Sequence, residues 1–472
     1  MALIKNTSFY TLGTILPKIG AFVFLPIYLK HMTPADYGII SSLYIFGTVL
    51  TILFTLSIPR ALYRVFYDYT SDNEKKQLIG TSIISVLFIA IISFVLLLVF
   101  SPFIGSIYTS IPFYPYFLYA ILGILFIAFH SIPQAVLQIR ERALTFVLLN
   151  LSLFFTKSLF ILYNVVYLKK GAIGYLEADF ITDFVFIPVY YFMISKDIVI
   201  DLNFTMLKNL LLFSIPIIPG MLSSWVLNLS DRIFIERYFD ASQVGIYSLG
   251  YQIAGLVLMF TSAFKSAYDP YFYKIANTYE PKGAKEKLYK TNYIFVLILI
   301  FVTFVIAFFS KEAIQIFFST EYSISAQVVP LVLLGYLFSQ NSALLNNMVY
   351  QMKKSNVIMY ITLFSAFLNM GLNFLLIPMY GIMGAAWTTA ISFLVVFILS
   401  YLLAKRHFFI PYNWKIIIPS LLFFIGIYIV FSFISIESPW VSIGIKSVII
   451  ALIVIPLVYR NRSQILETIN TR

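Results

Sequence analysis

Long apolar stretches dominate this chain. Fourteen follow one another with short connections: 9–29, 39–59, 78–100, 113–138, 143–168, 172–194, 208–230, 244–264, 289–309, 325–349, 356–377, 381–403, 414–434 and 440–459. Each has the ~20 residues that an α-helix needs to cross the hydrocarbon layer of a bilayer. In that layer only helices or closed barrels satisfy their own backbone groups. The pattern therefore predicts an all-α polytopic membrane protein of about 14 transmembrane helices. Charged residues make up 11% of the chain, against about 25% in soluble domains, so a soluble globule is excluded. The first stretch follows Lys5 and no small-residue cleavage site succeeds it, so it reads as a retained span. The longest connection is expected around residues 265–288.

Orientation follows from Lys and Arg in alternate connections. With the N-terminus inside, the inner connections hold 23 and the outer ones 6, namely Lys30, Lys169, Lys170, Arg232, Arg237 and Lys311. Basic residues gather on the cytoplasmic side, so both termini are expected there. The formal net charge of +12 then reflects topology, and no nucleic-acid partner is implied. The chain has no cysteine, which excludes disulfides and Cys-ligated metals. Neither GxxxxGK[ST] nor HExxH occurs, and His31, His130 and His407 are scattered, so no enzyme motif is present.

A repeat runs through the chain. Gly38-Ile39, Ser41 and Tyr44 match Gly245-Ile246, Ser248 and Tyr251 at an offset of 207. "LGILF" from Leu122 matches "LGYLF" from Leu334, "QIR" from Gln138 matches "QMK" from Gln351, and "GAIG" from Gly171 matches "GIMG" from Gly381. Four matches in one order at nearly one offset indicate a duplicated six-helix unit. An even helix number makes the copies parallel. The expected organisation is a six-helix lobe over 1–200, a second over 201–408, and two additional helices with a tail over 409–472.

The opening "NTSFYTLGTILPKIGAFVFLPIYLKHMTPADYGIISSLYIF", "SIPRALYRVFYD", "NLSDRIFIERYFDASQVGIYSLGYQI" and "IPMYGIMGAAWTTAIS" stand out. These segments resemble those of the polysaccharide, Wzx-type oligosaccharide-lipid flippases of the MATE-like exporter superfamily. The resemblance spans essentially the whole chain. It implies two six-helix lobes, location in a bacterial inner membrane, and transport of a polyprenyl-diphosphate-linked oligosaccharide. Exporters of organic cations in this superfamily generally carry a carboxylate in the first or seventh helix. Here the first carries Lys18, and the seventh has no acid before Asp231 at its outer end.

Buried polar residues are the candidate site. Projected at 100° per residue, Thr11, Thr14, Lys18 and Ala21 form one stripe opposite Phe9, Leu12, Leu16, Val23 and Ile27. Lys18 lies ~18 Å from the outer end, beyond the reach of a snorkelling side chain. Lys157 and Asp183 stand 13 residues either side of Lys170, at one depth. They form either a neutralising pair or a hydrated site for substrate or a coupling ion, with Asp179 one turn from Asp183. Asn150, Lys157 and Asn164 recur every seven residues. His130, with Gln134, Gln138 and Pro133, is either a satisfied core residue or a proton relay. Thr362, Ser365, Asn369 and Asn373 form a stripe, and Gln340, Asn341, Asn346 and Asn347 cluster nearby in sequence. Such amides bind sugar hydroxyls or tie helices together. Arg60 and Lys265, near repeat-equivalent places, are either topological anchors or a basic entrance for a diphosphate.

Together with the resemblance, which implies it, these residues lead to the expectation of a flippase for a lipid-linked oligosaccharide, working by alternating access. No cofactor is expected beyond a coupling ion, H+ or Na+. The expected partners are the bilayer, the carrier-linked glycan, and polysaccharide polymerase or ligase machinery. The sequence sets no oligomeric state, and a monomer is consistent with it. The alternatives are a MATE-type cation or drug antiporter and a lipid II flippase.

Overall fold

The computed structural model describes residues 2–406, 410–434 and 436–460, and His407 lies outside them. The side chains of Thr11 and Thr14 likewise lie outside the description. Among the described residues there is no β-strand. Two compact units are present. One comprises the chain up to Ser248 with Asn356–Val395, and the other Leu249–Ser355 with the chain from Val396 on.

In the first unit lie α1 (Ala2–Leu29), α2 (Pro34–Thr55), α3 (Ile58–Val65), α4 (Asp72–Val99), α5 (Ser101–Ile107), α6 (Leu118–Ile139), α7 (Ala143–Leu162), α8 (Gly171–Ile194), α9 (Phe204–Ser214), α10 (Ile218–Leu229) and α11 (Asp231–Tyr238). Next, α12 (Ala241–Ala254) runs from the first unit into the second, which holds α13 (Leu256–Thr278), α14 (Pro281–Phe317) and α15 (Ser325–Gln351). The 51-residue α16 (Ser355–Lys405) crosses both units and is followed by α17 (Trp414–Ser432) and α18 (Pro439–Arg460). Eleven described helices are long and apolar enough to cross a membrane. The shorter apolar stretches Ile15–Leu29 and Pro439–Ile453, and the division of α16 at Gly381, supply the remaining spans read from the sequence.

Local chemistry sets the boundaries. Asp36 accepts from the Thr33 N–H at 3.1 Å, and the Thr33 hydroxyl accepts from the Asp36 N–H at 3.2 Å, closing a capping box before Pro34. The other Asp36 oxygen accepts from the Ala172 N–H at 2.9 Å, so one carboxylate holds the starts of both α2 and α8. Asn203 caps α9 through the N–H groups of Thr205 and Met206. The repeat is legible in the backbone. Its matched glycines Gly171 and Gly381 both take positive φ, +56° and +57°, at the two helix–helix turns. Gly38 and Gly245 allow α2 and α12 to approach backbone to backbone. A Cβ on Gly38 would stand 1.6 Å from the Ala241 carbonyl oxygen, and one on Gly245 2.0 Å from that of Pro34.

Two segment boundaries differ from the sequence reading. The expected long connection at 265–288 is largely helix: α13 continues to Thr278 and α14 opens at Pro281. Phe264, Tyr268, Phe272 and Ile275 recur at helical spacing there, and the last three are buried. The seventh segment extends through α11. Asp231 and Arg232 therefore lie inside a helical bundle, both 3% exposed, and Arg232 is no loop charge. Large apolar residues such as Ile91, Val95 and Val99 on α4 and Phe155 and Leu159 on α7 remain exposed, as lipid-facing surfaces require.

Candidate functional site

The α7–α8 hairpin turns at Lys169 and Gly171, both with positive φ. Asn164 secures the turn by donating to the Gly174 carbonyl at 3.0 Å. Lys157 and Asp183, equidistant from it in sequence, consequently meet. Lys157 Nζ lies 2.8 Å from Asp183 Oδ2 and 2.8 Å from Asp179 Oδ1. One ammonium thus serves two carboxylates a single helical turn apart. Asp183 is fully buried, while the Asp179 and Lys157 side chains keep 31% and 22% of their surface.

From α6, His130 closes the buried side. Its Nε2 stands 3.6 Å from Asp183 Oδ1, and its ring stacks on Tyr190 with centroids 5.1 Å apart. The Gln134 amide nitrogen lies 3.2 Å from His130 Nδ1 and 3.2 Å from Tyr190 Oη. With Nδ1 accepting from Gln134, a neutral ring carries its proton on Nε2, facing Asp183. Gly123 on α6 faces Asp179, where a Cβ would stand in ordinary contact 3.4 Å from Oδ2.

Charge counting gives this cluster its chemistry. Lys157 contributes one positive charge and the two aspartates two negative ones. A net charge in a poorly solvated layer is costly, so the cluster balances when it gains one more positive charge. Among the described residues no three His, Cys, Asp or Glu side chains gather as metal ligands.

A second polar network joins α10, α11, α12 and α16. Arg232 donates to Asp231 Oδ1 at 2.7 Å and to the Asn228 carbonyl at 2.8 Å, and lies over the Tyr247 ring at 4.8 Å. Tyr247 and Thr389 donate to the other Asp231 oxygen at 2.5 and 3.4 Å. Asn373 donates to Asn369 Oδ1 at 3.0 Å, and Asn369 donates to Ser392 Oγ at 3.1 Å. In this structure both amides tie helices together. The sequence reading left Arg232 out of the candidate site. The signal for it was present in the paired "DR" before an aromatic-rich helix.

The remaining candidates stand apart. α1 packs on α7 through Gly13 against Val147 and Gly20 against Phe154, and the Tyr28 hydroxyl donates to the Ser158 carbonyl at 3.3 Å. Lys18 is exposed. Arg60 is exposed on α3, and Asn150 donates to the Phe146 carbonyl of its own helix at 2.9 Å. Lys265 is half-buried on α13 of the second unit.

The family model described as "Polysaccharide biosynthesis protein" matches residues 3–276. The chain belongs to that polysaccharide biosynthesis family. The MatE model also matches this family member, over residues 216–375. Among curated relatives, it is 25% identical over 419 residues to the capsular polysaccharide biosynthesis protein CapF of Staphylococcus aureus, covering 86% of this chain and all of that one. It is 27% identical over 179 residues to the probable low-salt glycan biosynthesis flippase Agl15 of Haloferax volcanii, covering 38% and 37% of the two chains. Among solved structures, it resembles the lipid II flippase MurJ in an inward closed conformation, with a TM-score of 0.68, 15% identity, and 97% and 99% of the two chains covered. An inward-facing multidrug MATE transporter gives 0.62 at 13% identity, covering 84% and 94%. This family member has the polytopic all-α fold of those proteins.

Proposed function

We propose that this protein flips a polyprenyl-diphosphate-linked oligosaccharide across the bacterial inner membrane by alternating access, both termini lying in the cytoplasm. The family match and the CapF and Agl15 relatives support glycan traffic as the task. The observation that carries the ion-coupled mechanism is the Lys157–Asp179–Asp183–His130 cluster, which sets two carboxylates, one of them fully buried, against a single ammonium. A proton or Na+ entering there would be released in a different state, coupling an ion gradient to the cycle. The cationic, exposed Lys18, with Arg60 and Lys265, would meet the diphosphate. The lobes 1–200 and 201–408 would rock about the bound headgroup, with a polymerase or ligase receiving the product.

The test is export in a deletion strain. Wild type should restore surface polysaccharide, and Asp183→Asn should reach the membrane at normal abundance without restoring it. Full export by Asp183→Asn would remove the cluster from the mechanism. The partial exposure of Asp179 favours a second reading, exchange of an organic cation. Saturable binding of such cations to the purified protein, lost in Asp179→Asn, would establish it instead.

A further inference from the structure

Where α14 and α17 begin, the second unit carries an open groove of about 680 Å³. Its floor is aromatic. Tyr412 and Trp414 stack with centroids 5.3 Å apart and planes 16° apart, and the Trp414 indole N–H donates to Tyr401 Oη at 3.4 Å. Lys285, Glu286 and Tyr289 line it from α14, Asn413 and Lys415 from the start of α17, so the lining itself holds two lysines and one carboxylate. Asn413 occupies the N-cap position without capping the helix through its side chain. Tyr412 Oη is buried with no hydrogen-bond partner. The surroundings are basic: stretches 282–290 and 405–415 hold seven Lys or Arg against Glu286 alone.

Tyr, Trp and Lys where helices enter an apolar layer mark the membrane–water interface. Lysine clusters there attract anionic headgroups. The surface below the groove suits an acyl chain. On α17, Lys415, Leu422 and Gly426 follow at spacings of seven and four, hence on one face. Leu422 and Gly426 line a second, apolar groove of about 550 Å³ with Val430 and Ile449. A Cβ at Gly426 would touch nothing within 4 Å.

We propose that this groove binds an anionic phospholipid. The phosphodiester would sit between Lys285 and Lys415, the glycerol against Tyr412 and Trp414, and an acyl chain along the Leu422–Gly426 face. The charge requirement disfavours a zwitterionic lipid, and the apolar groove farther along the same face of α17 disfavours a free anion.

Thermal unfolding of the purified full-length protein in neutral detergent tests this. Dihexanoyl phosphatidylglycerol should raise the midpoint, whereas dihexanoyl phosphatidylcholine and inorganic phosphate should not. Lys285→Gln/Lys415→Gln should weaken the phosphatidylglycerol response at least ~10-fold in concentration, measured from the variant's own midpoint in its absence. Should that double variant fold poorly, Lys415→Gln alone, at an exposed position, should still weaken it several-fold. Equal responses to the two lipids, or an undiminished response in the variants, would overturn the proposal. Phosphate matching phosphatidylglycerol would make this a simple anion site. Stronger stabilisation by a short polyprenyl phosphate, lost in the same variants, would assign the groove to the carrier lipid. Either result also overturns it.

Discussion

Replacing Lys157 should be far more damaging than replacing either carboxylate it serves. Lys157→Met leaves Asp179 and Asp183 facing each other one turn apart, about 6 Å. At an effective dielectric constant of about 20, two such charges repel by ~3 kcal/mol. Removing one partner of a buried pair costs ~3–5 kcal/mol in general, and the fully buried Asp183 argues for that range here. Asp183→Asn is different. Lys157 keeps its 2.8 Å contact to Asp179, the excess negative charge disappears, and the asparagine oxygen still accepts. Its expected cost is no more than ~1 kcal/mol. The double variant leaves only the partly exposed Asp179, which water can reach, so it should be more stable than Lys157→Met by ~2 kcal/mol. Equilibrium unfolding in mixed micelles, with monodispersity followed by size exclusion, gives all three values. Equal costs for the two single changes, summing in the double variant, would refute the view of the cluster as one electrostatic unit.

Four further outcomes are expected. Gly38→Ala and Gly245→Ala should each lower stability by ~2 kcal/mol through backbone overpacking, whereas Gly371→Ala, with nothing near its Cβ position, should be neutral or slightly stabilising in the same unfolding assay. Lys446→Met should be strongly destabilising because it strands Glu312, now 2.8 and 2.9 Å from the ammonium; Lys446→Met/Glu312→Gln should recover most of the folded yield seen by size exclusion. Since the chain has no cysteine, a single one at Lys169 should react with an impermeant thiol reagent in intact cells and one at Lys282 should not, the reverse pattern refuting the orientation. For Lys18, Arg should retain partial glycan export, Gln should abolish it at normal abundance and Glu should be worst; full export by Lys18→Gln would refute its contact with the diphosphate.

The spans were legible because crossing a bilayer demands an uninterrupted apolar run, which is a local property of sequence. The Lys157–Asp183 meeting was legible for a related reason: a tight hairpin brings together residues equidistant from its turn. Asp179 was legible as a neighbour of Asp183, but its sharing of one ammonium was not, because rotamers decide it. The α13–α14 region misled because helices continue past the apolar layer. There the hydrophobic run stops but the periodicity of Phe264, Tyr268, Phe272 and Ile275 persists.

Charge was the signal most easily misread, and Arg232 shows why. By sequence it follows an apolar segment and counts as an outer basic residue. In the structure it is 3% exposed and bonded to Asp231. Arg140 and Arg142 show the complementary case. They serve the inside count and also bind Asp197 at 3.2 and 2.8 Å. Removing Arg232 from the outer set leaves the inside excess larger, so the orientation does not depend on it. What changes is the kind of residue a transport mechanism can use. Arg232 and Asp231 satisfy each other and lock helices, whereas the Lys157 cluster remains unbalanced by one charge. On the proposed function, only the second has a reason to exchange an ion.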